Sequence, residues 1–189
     1  MNLYLGVFTA FGLSASAGLN AYIPLLIVAL LGRFTDLVQL TPPWDALESG
    51  WVIGFLVLLS LIEFFADKIP AVNHINDLIQ TVIRPVAGAI TFAASANVIS
   101  DVNPVFSMVL GILVAGSVHA VKAVAIRPAV TAATGGAANL PVSVAEDLIS
   151  TILSLISTLV PILIAVFMLL LSFFLLWLVA RRRRVVRRI

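Results

Sequence analysis

The sequence predicts an all-α, polytopic helical membrane protein of about five spans, organised around an internal two-helix repeat. Three observations carry that expectation. Hydrophobic residues fill 61% of the 189 positions and the mean hydropathy is +1.16, against roughly 45 to 50% apolar residues in a soluble domain. Apolar runs recur at the length of about 20 residues that a helix needs to cross the hydrocarbon core. Finally, VIGFLVLLSLIEFFADKIPAV from Val52 is echoed by VLGILVAGSVHAVKAVAIRPAV from Val109, and NDLIQTVI from Asn76 returns as EDLISTIL from Glu146. The copies are placed at 52–83 and 109–153 within a single transmembrane domain, 1–180, followed by a basic tail, 181–189. Many transporter folds are built from such duplications, with the site where the repeats meet. That analogy inclines the reading towards inverted copies.

The first apolar element, Leu3 to Leu31, carries SASAGLN at its centre and Pro24 a turn later. Ala10, Ser14 and Gly18 fall at i, i+4 and i+8, a stripe of small residues on which another helix can pack closely. The same element also reads as a broken helix whose Ser14, Ser16 and Asn20 line a cavity, because unwound backbone at membrane depth survives only where protein or water satisfies it. It has no basic n-region, so it reads as a retained segment rather than a cleaved leader. A loop with Pro42, Pro43 and Trp44 leads to the second span, Trp51 to about Ala66, which Pro70 stops.

His74 to Pro85 has helical periodicity and either lies at the interface or starts the third span, which continues to Ser100, with Pro85 kinking such a helix. The fourth span, Val105 to Ile126, carries His119 and Lys122. Ala129 to Ala145 follows without a single charge, punctuated by Gly135, Gly136 and Pro141. It reads either as a re-entrant segment or as a loop, with Thr134, Gly135, Gly136 and Asn139 as a possible gate. Asp147 to Ala180 is too long for one perpendicular crossing, about 50 Å at 1.5 Å per residue, so Pro161 is expected to divide it into a half-helix or strongly tilted helix and a full span from Ile162.

Charge is sparse inside this frame and therefore informative. Six of the eleven bases sit in RRRRVVRR at the end, leaving five bases and nine acids in the body. By the positive-inside rule the carboxyl terminus is cytoplasmic, in the cell inner membrane of a multi-pass protein. Arg181, Arg182, Arg183 and Arg184, with Arg84 and Arg127 of the duplicated IRP, are expected at lipid headgroups. Glu63 and Asp67 share a face of the second span, His119 and Lys122 a face of the fourth, at nearly equivalent repeat positions. A Glu63–Lys122 pair is the corresponding expectation, since charged groups at the centre of a span cost at least about 2.5 to 3.5 kcal/mol and usually have partners. A second, uncharged set comprises Ser14, Ser16, Asn20, Ser95 and Asn97, which can bond across helices or offer oxygens to an ion or polar solute.

No cysteine is present, which excludes disulfides and thiolate metal sites. Two isolated histidines suggest no metal cage, no cofactor motif is found, and no serine elbow, zincin or phosphate-loop motif points to an enzyme. The tail's charge lacks any fold to present it to nucleic acid. The leading functional reading is a small transporter or channel for an ion or small polar solute, in a homo-oligomer surrounded by membrane lipid. The alternative is a non-transporting protein that organises lipid or a partner. The runs SAGLNAYIPLL, ADKIP, RPVAGA and RPAVTAATGGAANLPVSVAED resemble a bacterial membrane family, domain of unknown function 4126. The resemblance implies a compact inner-membrane protein and assigns no activity.

Overall fold

The computed structural model describes residues 3–66, 70–96 and 103–186, and every regular element among them is helical. The chain opens with a helical hairpin. α1 (Leu3–Leu19) ends where the Asn20 N–H donates to Ser16 O at 3.0 Å, and α2 (Tyr22–Phe34) starts after Ala21. Two residues dictate the break. Pro24 has no N–H to give to the Asn20 carbonyl, so an unbroken helix would lose that bond. Asn20 Oδ1 instead accepts from the Tyr22 and Ile23 N–H groups, each at 3.1 Å, satisfying two of the donors that a helix start leaves over.

From that tip α2 folds back along α1, so that Leu13 and Val28 line one cavity, together with Thr9 and Asp36 nearer its mouth. The first element is thus a hairpin of two helices rather than one continuous span: both its arms point to the side that carries residues 35–49, here the loop side. A 3₁₀ turn, Trp44–Glu48, closes that loop. α3 (Gly50–Ala66) then runs antiparallel to α2, with Glu48 beside Gly32 at one end and Leu56 clustered with Leu25 and Ala29 further in.

α4 (Pro70–Ala96) returns to the loop side and passes through Pro85 as one helix. α5 (Pro104–Val121) leaves again, its start capped by Asn103 Oδ1, which accepts from Val105 and Phe106 N–H. It continues through a π-turn, Lys122–Ile126, into α6 (Arg127–Thr134). A tight turn follows in which Gly135 and Gly136 take φ of +60° and +91°, a region that glycine enters without steric cost. α7 (Asn139–Leu159) returns, and α8 (Pro161–Val186) follows the break at Val160.

Four of these helical stretches are long and apolar enough to cross a membrane: Ile75–Ala96, Pro104–Thr134, Asn139–Leu159 and Pro161–Leu178. Leu5–Leu19, Tyr22–Phe34 and α3 are apolar but shorter, so by length the five spans expected become four among the described residues. The first element is not among them, and α7, expected as a half-helix or strongly tilted, is long enough to cross. The uncharged stretch expected to be a loop or re-entrant segment is α6, the glycine turn and the start of α7. The helix pairs of the repeat, α3 with α4 and α5 with α7, both leave the loop side and come back to it. They run in the same sense, not inverted.

α1 is the axis of the bundle, and small residues explain how. Its Ala10–Ser14–Gly18 stripe faces α4 and α5: Ala10 packs with Phe92 and Ala96, and a Cβ on Gly18 would lie 2.5 Å from Ala115 O. The Ser14 hydroxyl is shared between Gly88 O at 3.1 Å and Gly111 O at 2.9 Å. The opposite face meets α7 through a line of buried serines, Ser150, Ser154 and Ser157. Ser16 Oγ lies 2.8 Å from Ser150 Oγ and 2.6 Å from Ser154 Oγ. Lipid chains are as apolar as leucine, so close backbone approach and interhelical hydrogen bonds hold such helices together. The outer faces are correspondingly apolar, with Phe55, Leu58 and Phe65 on α3 and Leu169, Phe173 and Leu176 on α8 all exposed.

Candidate functional site

Around the hairpin tip the bundle buries an ionic network. Arg84 of α4 is fully buried, and its Nη2 donates to Glu63 Oε1 of α3 at 3.0 Å. Its Nη1 lies 3.1 Å from His119 Nδ1 of α5, while His119 Nε2 lies 3.2 Å from Thr81 Oγ1. Arg84 sits nine residues after Ile75 and twelve before Ala96 in the apolar stretch of α4, about 14 and 18 Å from its ends at 1.5 Å per residue. Against a core of about 30 Å, that is near mid-depth.

The second half of the network is built by the π-turn. In an α-helix of 3.6 residues per turn, positions five apart lie about 140° apart around the axis. A turn closed by i→i+5 bonds brings them to one face instead. The Arg127 N–H donates to Lys122 O in that way, directly before Pro128, which has no N–H to continue an α-helical ladder. Lys122 Nζ and Arg127 Nη2 consequently converge on Glu146 Oε2 of α7, at 2.8 and 3.1 Å. Arg127 Nη1 also reaches Asp77 Oδ2 of α4 at 3.0 Å. Lys122 Nζ donates to Leu19 O at 3.1 Å, a favourable place for a cation because the last carbonyls of α1 carry its negative dipole end. Asn20 Nδ2 closes the ring, donating to Asp147 Oδ1 at 3.0 Å.

Each repeat copy therefore holds an ion pair between its own two helices, with polarity exchanged: acid on α3 and base on α4, then base at the end of α5 and acid on α7. Arg84 with His119 and Arg127 with Asp77 join the copies. The family model for Domain of unknown function (DUF4126) matches residues 7–181. The chain belongs to this family. No curated protein and no solved structure matches it.

In this DUF4126 chain the network gathers Asn20, Glu63, His119 and Lys122 from the expected site but pairs them differently. Glu63 binds Arg84 and Lys122 binds Glu146, so the Glu63–Lys122 bridge is corrected to two bridges, one within each copy. Arg84 and Arg127 lie in these bridges rather than at headgroups, because carboxylates at the same depth hold them. Ser14 and Ser16 belong to the packing seams and are not among the residues that line the hairpin cavity, whereas Ser95 is buried in its wall. Asp67 and Asn97 fall outside the described residues, as do the side chains of Arg182, Arg183 and Arg184. Arg181 is exposed and stacks its guanidinium 5.3 Å from the Trp177 ring centre, consistent with an interfacial anchor.

The expected gate is a helix–turn–helix connection. Thr134 and Gly135 are exposed there, and Thr131 Oγ1 donates to Asn139 Oδ1 at 3.1 Å. Sequence reasoning missed Asp77, Glu146 and Asp147 as network members, although the duplicated NDLIQT and EDLIST carry all three. The serines of α7 at 150, 154 and 157 were legible too, as polar residues at helical spacing in an apolar run.

Because Glu146 is held by two cations, Lys122→Met leaves it paired with Arg127. We expect a loss of about 1 to 3 kcal/mol, measured by thermal unfolding in detergent and smaller than that for Arg84→Ala. A Lys122→Met protein at least as destabilised as Arg84→Ala would show that Arg127 does not compensate.

Proposed function

We propose that this membrane protein is a small transporter or channel for an ion or small polar solute, with its site at the hairpin tip. One observation carries the reading: a helix broken at Asn20 points its two ends into a buried ionic network near mid-depth. Discontinuous helices whose ends meet charged groups at the junction of two repeats are the sites where secondary carriers hold their solutes. Intramembrane charge held only for stability is a poor use of such residues, since well-packed apolar side chains often stabilise as well or better. We place the protein in an inner membrane with the arginine tail cytoplasmic, in keeping with the positive-inside rule, and as a homo-oligomer.

The tight seams of α1 bury Glu63, Arg84 and Lys122, whereas Arg127 and Asp77 stay partly exposed at 13% and 23%. A second reading has its own support. Beside Lys122, an apolar groove of about 280 Å³ between Leu19, Val118, Val121 and Ile126 suits an acyl chain, as a lipid-organising protein would need. Purified protein in proteoliposomes, challenged with a panel of radiolabelled inorganic ions and small polar solutes, tests the choice. We expect flux above that of empty vesicles for at least one solute, abolished by Glu146→Gln with the fold retained. No flux for any solute, with co-purified lipid seated in the groove, would favour the second reading.

A further inference from the structure

Between the arms of the hairpin lies a cavity of about 120 Å³ that the ionic network does not use. Thr9 of α1, Ser95 of α4 and Thr158 of α7 line it with hydroxyl groups, exposed Asp36 stands at its mouth on the loop side, and no lysine, arginine or histidine is among its lining residues. Its volume suits several waters, each with a share of about 30 Å³ in the liquid. Hydroxyl oxygens backed by one carboxylate are hard oxygen donors, the kind that replace the hydration shell of a small cation.

The floor of the cavity is apolar. Leu13 and Val28 face it from the two arms and are almost completely buried, and beneath them Ala17, Ala21 and Leu25 pack in one cluster. Leu13 is seven residues from Asn20, so about 10 Å of apolar packing separates the cavity from the hairpin tip. On the far side, Asp77 Oδ1 and Glu146 Oε1 are buried acceptors without a hydrogen-bond partner among the described residues. The Thr9 and Thr158 hydroxyls donate to Leu5 O and Ser154 O of their own helices, which leaves their oxygens able to accept or to coordinate. Oxygen donors on both sides of a hydrophobic constriction are an arrangement that admits a cation when the constriction wets and excludes it when dry.

We propose that this cavity is the entry vestibule for a monovalent cation, with Leu13 and Val28 as its hydrophobic gate; the proposal rests on the transport reading. The chain has no cysteine, so single substitutions can be probed in the otherwise native protein. In proteoliposomes, Ser95→Cys and Thr158→Cys should react with a membrane-impermeant thiol reagent added from one side only, and Ser150→Cys in the sealed seam should not. Sodium or potassium replacing N-methylglucamine at constant ionic strength should slow the labelling of Ser95→Cys. Leu13→Ala should make Ala17→Cys reactive from the same side and raise cation leak, and Val28→Ala should do the same if the first variant does not fold. An unreactive Ser95→Cys, or one protected by glycerol or urea but not by cations, would overturn the vestibule assignment. Labelling and cation protection as expected, with no cation flux in the wild type or in either gate variant, would overturn the gate while leaving a cation-binding cavity; the transport reading itself falls only if no ion or polar solute in the panel gives flux.

Discussion

Arg84→Ala is expected to cost about 3 to 5 kcal/mol of folding stability, because it removes one member of a buried ion pair. Arg84 and Glu63 are 0% and 1% exposed, with 3.0 Å between Nη2 and Oε1, so water offers Glu63 little compensation. Removing the guanidinium also withdraws a contact from His119 Nδ1 at 3.1 Å, which loosens α4 from α5 as well as from α3. Arg84→Lys should rescue little, because a compact ammonium on a flexible stem cannot span two partners as the planar fork does. Replacing both members, Glu63→Leu with Arg84→Met, should recover much of the loss by removing both buried charges together. Thermal unfolding in detergent reads all three variants. A midpoint for Arg84→Ala equal to the wild type would mean that the pair is not buried in the folded protein.

How legible this site was follows from what each signal measures. Hydropathy located the apolar helices, since it reports the composition that lipid demands, but it is blind to chain direction. The first element therefore read as a span, even though Asn20 and Pro24, four residues apart, contain the whole reason for its reversal: one side chain that caps and one residue that cannot donate. The repeat led to Glu63, His119 and Lys122 because charge is scarce in the spans. It could not supply partners, since pairing depends on which helices pack together. Arg84 and Arg127 were assigned to the surface because a proline follows each, a pattern common at span ends. In the fold, α4 continues through Pro85, and the π-turn before Pro128 swings Arg127 inward. A one-residue change of helical register is a tertiary event, and no apolar periodicity announces it. The small-residue stripe of α1 was the most faithful signal, because close approach of two backbones has a single steric requirement that sequence expresses directly.

That requirement sets the other large effect. Gly111→Ala and Gly88→Ala should each destabilise by about 3 kcal/mol, the upper end for overpacking, and Gly111→Leu should prevent stable folding. A Cβ on Gly111 would lie 2.3 Å from Gly88 O and 2.7 Å from Ala89 Cα; one on Gly88 would lie 2.3 Å from Ala115 Cβ and 2.8 Å from Gly111 O. Side chains can turn away from such a clash, but helix backbone cannot, so α4 and α5 must move apart. That movement also takes Gly88 O and Gly111 O away from the Ser14 hydroxyl they share, and it spreads the joint at which α1 enters the bundle. Downstream, it separates Arg84 from His119, since both lie on the same two helices towards the hairpin tip. Gly54→Ala is the matched control: it is also a glycine within an apolar helix, but nothing lies within 4 Å of its would-be Cβ. The control should be neutral or slightly stabilising, because alanine favours a helix over glycine by about 1 kcal/mol. Thermal unfolding in detergent that ranks Gly111→Ala level with Gly54→Ala would show that α4 and α5 do not cross in backbone contact.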